Sequence, residues 1–230
     1  MSYSKKIVCL ANSRKISGRC IAGKEVLDGN YGEWIRPISK RPTGEISEYE
    51  RRFEDGEHPQ VLDIVTIPMI KHQPHNYQQE NHLIDDGYYW EKEGAITWGE
   101  LSNLVDNVTD ELWMNGNSSY NGINDRIPEH EANNLENSLL LIQPDTLIIS
   151  VGVEGAKFGD GKRKVRALFS LNNHQYKLAV TDPRTELHFL KKEDGRYEID
   201  ARKVYMCISI GEPYNDYCYK LVASVITKST

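Results

Sequence analysis

What this 230-residue chain lacks narrows its function before any motif is read. No apolar run reaches the length of a membrane-spanning helix, and the first thirty residues hold no signal-peptide core, so a cytoplasmic protein with no membrane partner is expected. There are only four cysteines, Cys9, Cys20, Cys207 and Cys218, and none forms a Cys-x-x-Cys pair. Each sits in or beside an apolar run, which suits reduced, packed thiols better than a zinc centre built from close ligand pairs. The phosphate-cradling Gly-x4-Gly-Lys-Ser/Thr loop and the Gly-x-Ser-x-Gly nucleophile turn are both missing. No cofactor is called for, and the chain reads as a binding protein more readily than as an enzyme.

What is present is a chain large enough to bury a core without disulfide staples, 39% hydrophobic and 27% charged. The formal net charge of −6 is unevenly spread. Residues 1–52 carry 11 Lys and Arg against 6 Asp and Glu, residues 53–150 carry 3 against 18, and residues 151–230 carry 14 against 10. Two basic ends thus flank an acidic middle. Local potential governs contact with a polyanion more than the total does, so the negative sum does not exclude nucleic acid.

Strand patterns dominate both ends. Short runs rich in Ile, Val, Cys and Trp at 7–11, 19–26, 33–38 and 61–70 are punctuated by Asn12-Ser13 and Asp28-Gly29-Asn30. Pro68 marks an edge or bulge. In the middle, Thr97 and Glu100 form a capping box ahead of Leu101, Leu104, Val105 and Val108, predicting a helix, and Pro128 opens a second short helix. Beyond residue 138, runs at 164–171 and 175–180 flank Asn172-Asn173-His174 as a hairpin. Runs at 205–210 and 217–226 form another. Each end holds about five short strands, the ingredients of a small barrel.

Two segments carry the candidate chemistry. The first is Lys5-Lys6-Ile-Val-Cys-Leu-Ala-Asn12-Ser13-Arg14-Lys15, then Gly18-Arg19-Cys20, followed by Trp34-Ile35-Arg36-Pro37. Trp34 and Arg36 are two apart in a strand and share a face, placing an aromatic plane beside a guanidinium. The second is Gly155-Ala-Lys157-Phe158-Gly-Asp-Gly-Lys162-Arg163-Lys164-Val-Arg166, a glycine-rich basic loop with an interleaved aromatic. Blander readings stand beside these: Trp34 as a core residue, Arg36 as a partner of Glu33 or Asp28, and the second loop as a solvated hairpin tip. His72, His75, Glu80 and His82 lie close together in a polar loop but match no standard metal spacing.

The strings Lys6–Lys15, Gly18–Gly23, Trp34–Pro37, Glu80-Asn81-His82, Ser209–Tyr214 and Tyr219–Val222 resemble the prokaryotic dual OB-fold-containing domain family over nearly the whole chain. The resemblance implies two OB-like barrels in one chain. Strand and charge patterning make it a mainly β protein with the OB-like small barrels at 1–95 and 138–230, separated by an acidic, partly helical insertion at 96–137. The resemblance further implies nucleic-acid binding, to DNA or RNA, in a prokaryotic antiviral defence setting, with a defence protein as a further partner. On that model Asn12, Ser13, Arg14, Lys15, Arg19, Trp34, Arg36, Lys157, Phe158, Lys162, Arg163, Lys164 and Arg166 contact the nucleic acid, single-stranded in form, across a cleft shared by the two basic ends. The alternatives are a protein-interaction adaptor, and a nucleotide sensor or metal-dependent enzyme built on His72, His82 and the Tyr120 loop.

Overall fold

The computed structural model describes residues 2–159 and 161–228, with the Phe158 side chain outside that set. It divides into two compact units, one of residues 1–104 with 136–138, the other of 105–135 with 139–230.

In the first unit β1 (Tyr3–Lys15) pairs antiparallel with both β2 (Gly18–Leu27) and β4 (Asp63–His72). β3 (Asn30–Ile38) pairs with β2 and runs parallel to β5 (Asn81–Ile84), which returns to β4. The order β1-β2-β3-β5-β4 therefore closes on itself through β1. Closure requires the first strand to bend. A register shift between Cys9 and Ala11 supplies the bend, and Gly23 opposite it has no room for a side chain, since a Cβ there would lie 2.0 Å from the Val8 carbonyl oxygen. Ile7 through Ala11 are all buried, because a strand enclosed on both sides loses the in-out alternation of an exposed sheet. Ile21, Ile35, Ile46, Val65, Ile67, Met69 and Trp90 complete the core around them. A further strand, β6 (Glu91–Ala95), extends the barrel along the N-terminal half of β4.

The second unit repeats the plan with one break. Its first strand is in two pieces, β8 (Leu139–Ile142) against β13 (Val204–Tyr214) and β9 (Thr146–Glu154) against β10 (Lys162–Leu171). Pro144, which has no amide proton to donate, lies in the three-residue interruption. From β9 the order runs β10, β11 (His174–Val180), β14 (Tyr217–Thr227) and β13, with β11 and β14 parallel. The helix α2 (Pro183–Leu190), started by Asp182 accepting from the Arg184 amide, joins the third and fourth strands of this plan. Phe189 of that helix packs into a core of Ile149, Val151, Val165, Phe169, Tyr176, Leu178, Met206 and Val222. On the edge of β9 lies β12 (Gly195–Ile199).

Residues 96–137 do not stand apart as an insertion. Residues 96–104 and 136–138 pack with the first unit and 105–135 with the second, because the segment carries its own anchors. Leu101 and Leu104 are fully buried, and Leu112 donates its amide to the Tyr176 hydroxyl. The expected capping box forms, with both the amide and hydroxyl of Thr97 donating to Glu100, but it opens a six-residue 3-10 helix instead of an α-helix. Farther along, β7 (Arg126–Pro128) pairs with β14 and α1 (Glu129–Ala132) follows at Pro128. Lys220 on β14 is completely buried. It donates to the Met114 carbonyl and lies over the Tyr176 ring, pinning residues 112–115 to the barrel; burial pushes its pKa down to about 7.

Candidate nucleic-acid interface

β1 and β2 meet in a hairpin in which Arg14 faces Arg19 and Lys15 faces Gly18, leaving only Ile16 and Ser17 as the turn. The root of the hairpin is clamped, with Arg19 and Ile46 exchanging both backbone hydrogen bonds at 2.9 Å. Arg14 is exposed, and Lys15 and Arg19 are half-exposed. Arg51 lies close enough to Arg19 for its own pKa to be lowered, first by burial and then by that charge. The sequence reading passed over Arg51, though its place in a run of two arginines was visible.

The neighbouring polar pair serves the barrel instead. Asn12 donates its amide to the Pro59 carbonyl at 2.9 Å, and Ser13, 5% exposed, donates to the Cys20 carbonyl. Trp34 and Arg36 also differ from expectation. Trp34 is 8% exposed with the Lys24 ammonium 5.6 Å from its ring centre, and Arg36 is 3% exposed. Neither presents a stacking plane or a phosphate partner to solvent. Arg36 pairs with Glu80 at 3.0 Å and donates to the Ser138 hydroxyl at 2.9 Å, while Ser138 donates to Glu80. The reason is topological: β3 is covered on both faces where it runs parallel to β5, and Arg36 lies opposite Asn81 in that seam. The Trp34–Pro37 and Glu80–His82 strings are thus the two sides of one seam.

His82 also belongs to this seam. Its Nδ1 lies 2.6 Å from the Tyr3 hydroxyl, and its ring centre is 4.7 Å from that of His72. Burial, then the charges of His72 and Lys5, lower its pKa to about 4. Among the described residues no three His, Cys, Asp or Glu side chains converge as metal ligands.

In the second unit the basic loop joins β9 to β10. Gly155 and Gly159 both take left-handed conformations around a 3-10 turn at Ala156–Phe158. Strand alternation then sorts the cations. Val165, Ala167 and Phe169 face the core, so Arg163 faces that way too, and its guanidinium is engaged by Asp194 and by the Leu190 and Lys192 carbonyls at the end of α2. Lys162 and Lys164 fall on the outer face and are exposed. Arg166 shares that face but is clasped by both oxygens of Glu154, at 2.6 and 2.9 Å. Lys157 is exposed, 5.8 Å from the ring centre of Tyr120, itself 70% exposed. The polar loop around Tyr120 satisfies its own groups: Ser119 donates to Asp125, and Asn124 donates to the Gln175 carbonyl. The Phe158 side chain, singled out as an interleaved aromatic, lies outside the described residues.

Two five-stranded units in the order one-two-three-five-four, the third and fifth strands parallel, define a protein of two OB folds. The chain belongs to the Dual OB-containing domain family, whose model matches residues 5–225. No curated protein and no solved structure matches it. In OB folds the second and third strands and the first-to-second-strand loop are common oligonucleotide contacts. Both basic segments occupy that loop and its flanks, Arg14–Arg19 between β1 and β2 and Lys157–Lys164 between β9 and β10.

Proposed function

We propose that the protein binds nucleic acid, in single-stranded form, through the hairpin that joins the first and second strands of each barrel. Arg14, Lys15 and Arg19 neutralise phosphates on the first barrel, and Lys157, Lys162 and Lys164 do so on the second. Arg163 and Arg166 brace the second hairpin, Arg163 through the end of α2 and Arg166 through Glu154. One observation carries the reading: two basic segments about 140 residues apart in sequence fall on topologically equivalent loops. The reading extends to a prokaryotic antiviral defence setting, which rests on the family resemblance alone.

The test is fluorescence anisotropy with a labelled single-stranded oligonucleotide, titrated at several salt concentrations. Replacing Lys157, Lys162 and Lys164 by Ala together is expected to weaken binding at least tenfold at low salt and leave the melting temperature unchanged. A variant that binds as the parent does, or a parent that fails to bind, removes the reading.

A protein-adaptor reading draws on a different surface. A cavity of about 450 Å3 in the first unit is lined by Tyr3, Tyr88, Tyr89 and Trp90 together with Glu54, Asp85 and Glu91. Beside it the Arg52 guanidinium is stacked between Tyr49 and Tyr89, 3.4 and 4.8 Å from their ring centres. Aromatic walls bearing carboxylates suit a basic segment of a partner protein. A contact of that kind survives the hairpin substitutions, which separates it from phosphate binding.

A further inference from the structure

The tip of the first hairpin breaks the rule that the other turns obey. Among the described residues nine that are not glycine take positive φ, and six of these are Asn or Asp, which tolerate the left-handed region because their short polar side chains bond locally. The turns at Asn172-Asn173 and Asn215-Asp216 are built that way. Of the three others, Leu62 is buried, and Trp113 packs against the second core. Packing accounts for both.

Ile16 has no such account. It is β-branched, has φ +49, and is 69% exposed, so its side chain gains no burial to offset the strained backbone. The hairpin is anchored at its root. Arg19 and Ile46 hold its root by two backbone bonds, and a Cβ at Gly18 would stand 2.6 Å from the Ile46 carbonyl oxygen. A hairpin anchored at its root therefore holds an apolar, β-branched side chain out into solvent, with Arg14, Lys15 and Arg19 directly behind it. An apolar wedge flanked by cations is the form by which proteins enter a stack of bases and hold the adjoining phosphates.

We propose that Ile16 is a base-contacting wedge, inserting against the unstacked bases of a strand whose phosphates Arg14, Lys15 and Arg19 hold. The inference rests on the nucleic-acid reading and adds to it a contact with the bases themselves. The wedge reads the face of a base and not its edge, so it selects for strands whose bases are open and tolerates sequence.

The probe is a single-stranded oligonucleotide carrying 2-aminopurine, whose fluorescence rises when its base leaves the stack, with affinity read in parallel by anisotropy. The parent is expected to raise the fluorescence on binding. Ile16→Asn suits the left-handed turn and removes the wedge. It is expected to raise the melting temperature, to lose the fluorescence rise, and to weaken binding about fivefold. Ile16→Leu keeps an apolar tip and is expected to retain the signal. If Ile16→Asn binds with unchanged affinity and unchanged fluorescence, the wedge is overturned while phosphate binding stands. If Ile16→Asn melts lower than the parent, the turn is not strained and the proposal falls on its premise. If the parent itself binds no oligonucleotide, the wedge and the nucleic-acid reading fall together.

Discussion

His82 is held neutral by its surroundings, and this ties one residue to the acid stability of the first barrel. Its pKa is lowered to about 4 from an ordinary 6.5, first by burial and then by the charges of His72 and Lys5. Between those two values the unfolded chain binds a proton that the folded chain refuses. Stability is therefore full above pH 6.5 and is lost as pH falls toward 4, by up to about 3 kcal/mol for a shift of this size. Denaturant titrations at pH 7 and pH 4 check this. His82→Gln is expected to lose much less stability across the window than the parent, and an equal loss would assign the effect to another group. The same seam shows why the residue-level reading of the sequence failed where it did. Trp34 and Arg36 share a strand face, as their spacing says, but residues 34–37 are all buried. A strand covered on both sides carries no alternation by which to tell an inward face from an outward one. A buried arginine opposite a buried glutamate 44 positions later is likewise invisible until the parallel pairing of β3 and β5 brings them together.

At the level of elements, strand alternation was legible in the second hairpin and separates its cations cleanly. Positions 163, 165, 167 and 169 share one face, and the last three are Val, Ala and Phe, so Arg163 belongs with the core side. The structure gives it a job there, since its guanidinium closes the end of α2 through the Leu190 and Lys192 carbonyls. Arg163→Ala is expected to cost about 1–2 kcal/mol of stability, the value of charge-assisted hydrogen bonds at a partly exposed site. Lys164→Ala, one position away on the outer face, is expected to cost almost nothing. Thermal melts of the two variants check this, and equal losses would mean the hairpin does not sort its cations by face. Strands and hairpins at both ends were readable because their turns carry Asn, Asp and Gly. The β1–β2 turn was misplaced: Asn12 and Ser13, which carry turn chemistry, lie inside β1 opposite Ile21 and Cys20, and the chain reverses at Ile16-Ser17, which hold no Asn, Asp or Gly. The capping box at Thr97 was real, yet its signal marks where a helix begins and not which kind of helix follows: the segment is a short 3-10 helix that buries Leu101, with Leu104 buried at its C-terminal end.

For the whole molecule, the proposed binding of a polyanion has to be reconciled with a net charge of −6. Beyond about 10 Å, at 0.1 M salt, the acidic surface is largely screened, and the hairpins act by their own local charge. Each presents three cations: Arg14, Lys15 and Arg19 on one barrel, and Lys157, Lys162 and Lys164 on the other. Release of counterions from a single strand contributes a slope of about −0.7 for every phosphate neutralised. A strand engaged by one hairpin should therefore give a plot of log affinity against log salt with a slope near −2, and a strand engaged by both near −4. Oligonucleotides of increasing length are expected to pass from the first value to the second, since a short strand reaches fewer cations than a long one. Removing the three lysines of the second hairpin should return a long oligonucleotide to the shallower slope. A slope that stays near zero at every length would mean that phosphates are not what the hairpins hold, and the acidic, tyrosine-lined cavity of the first unit would then be the surface to pursue.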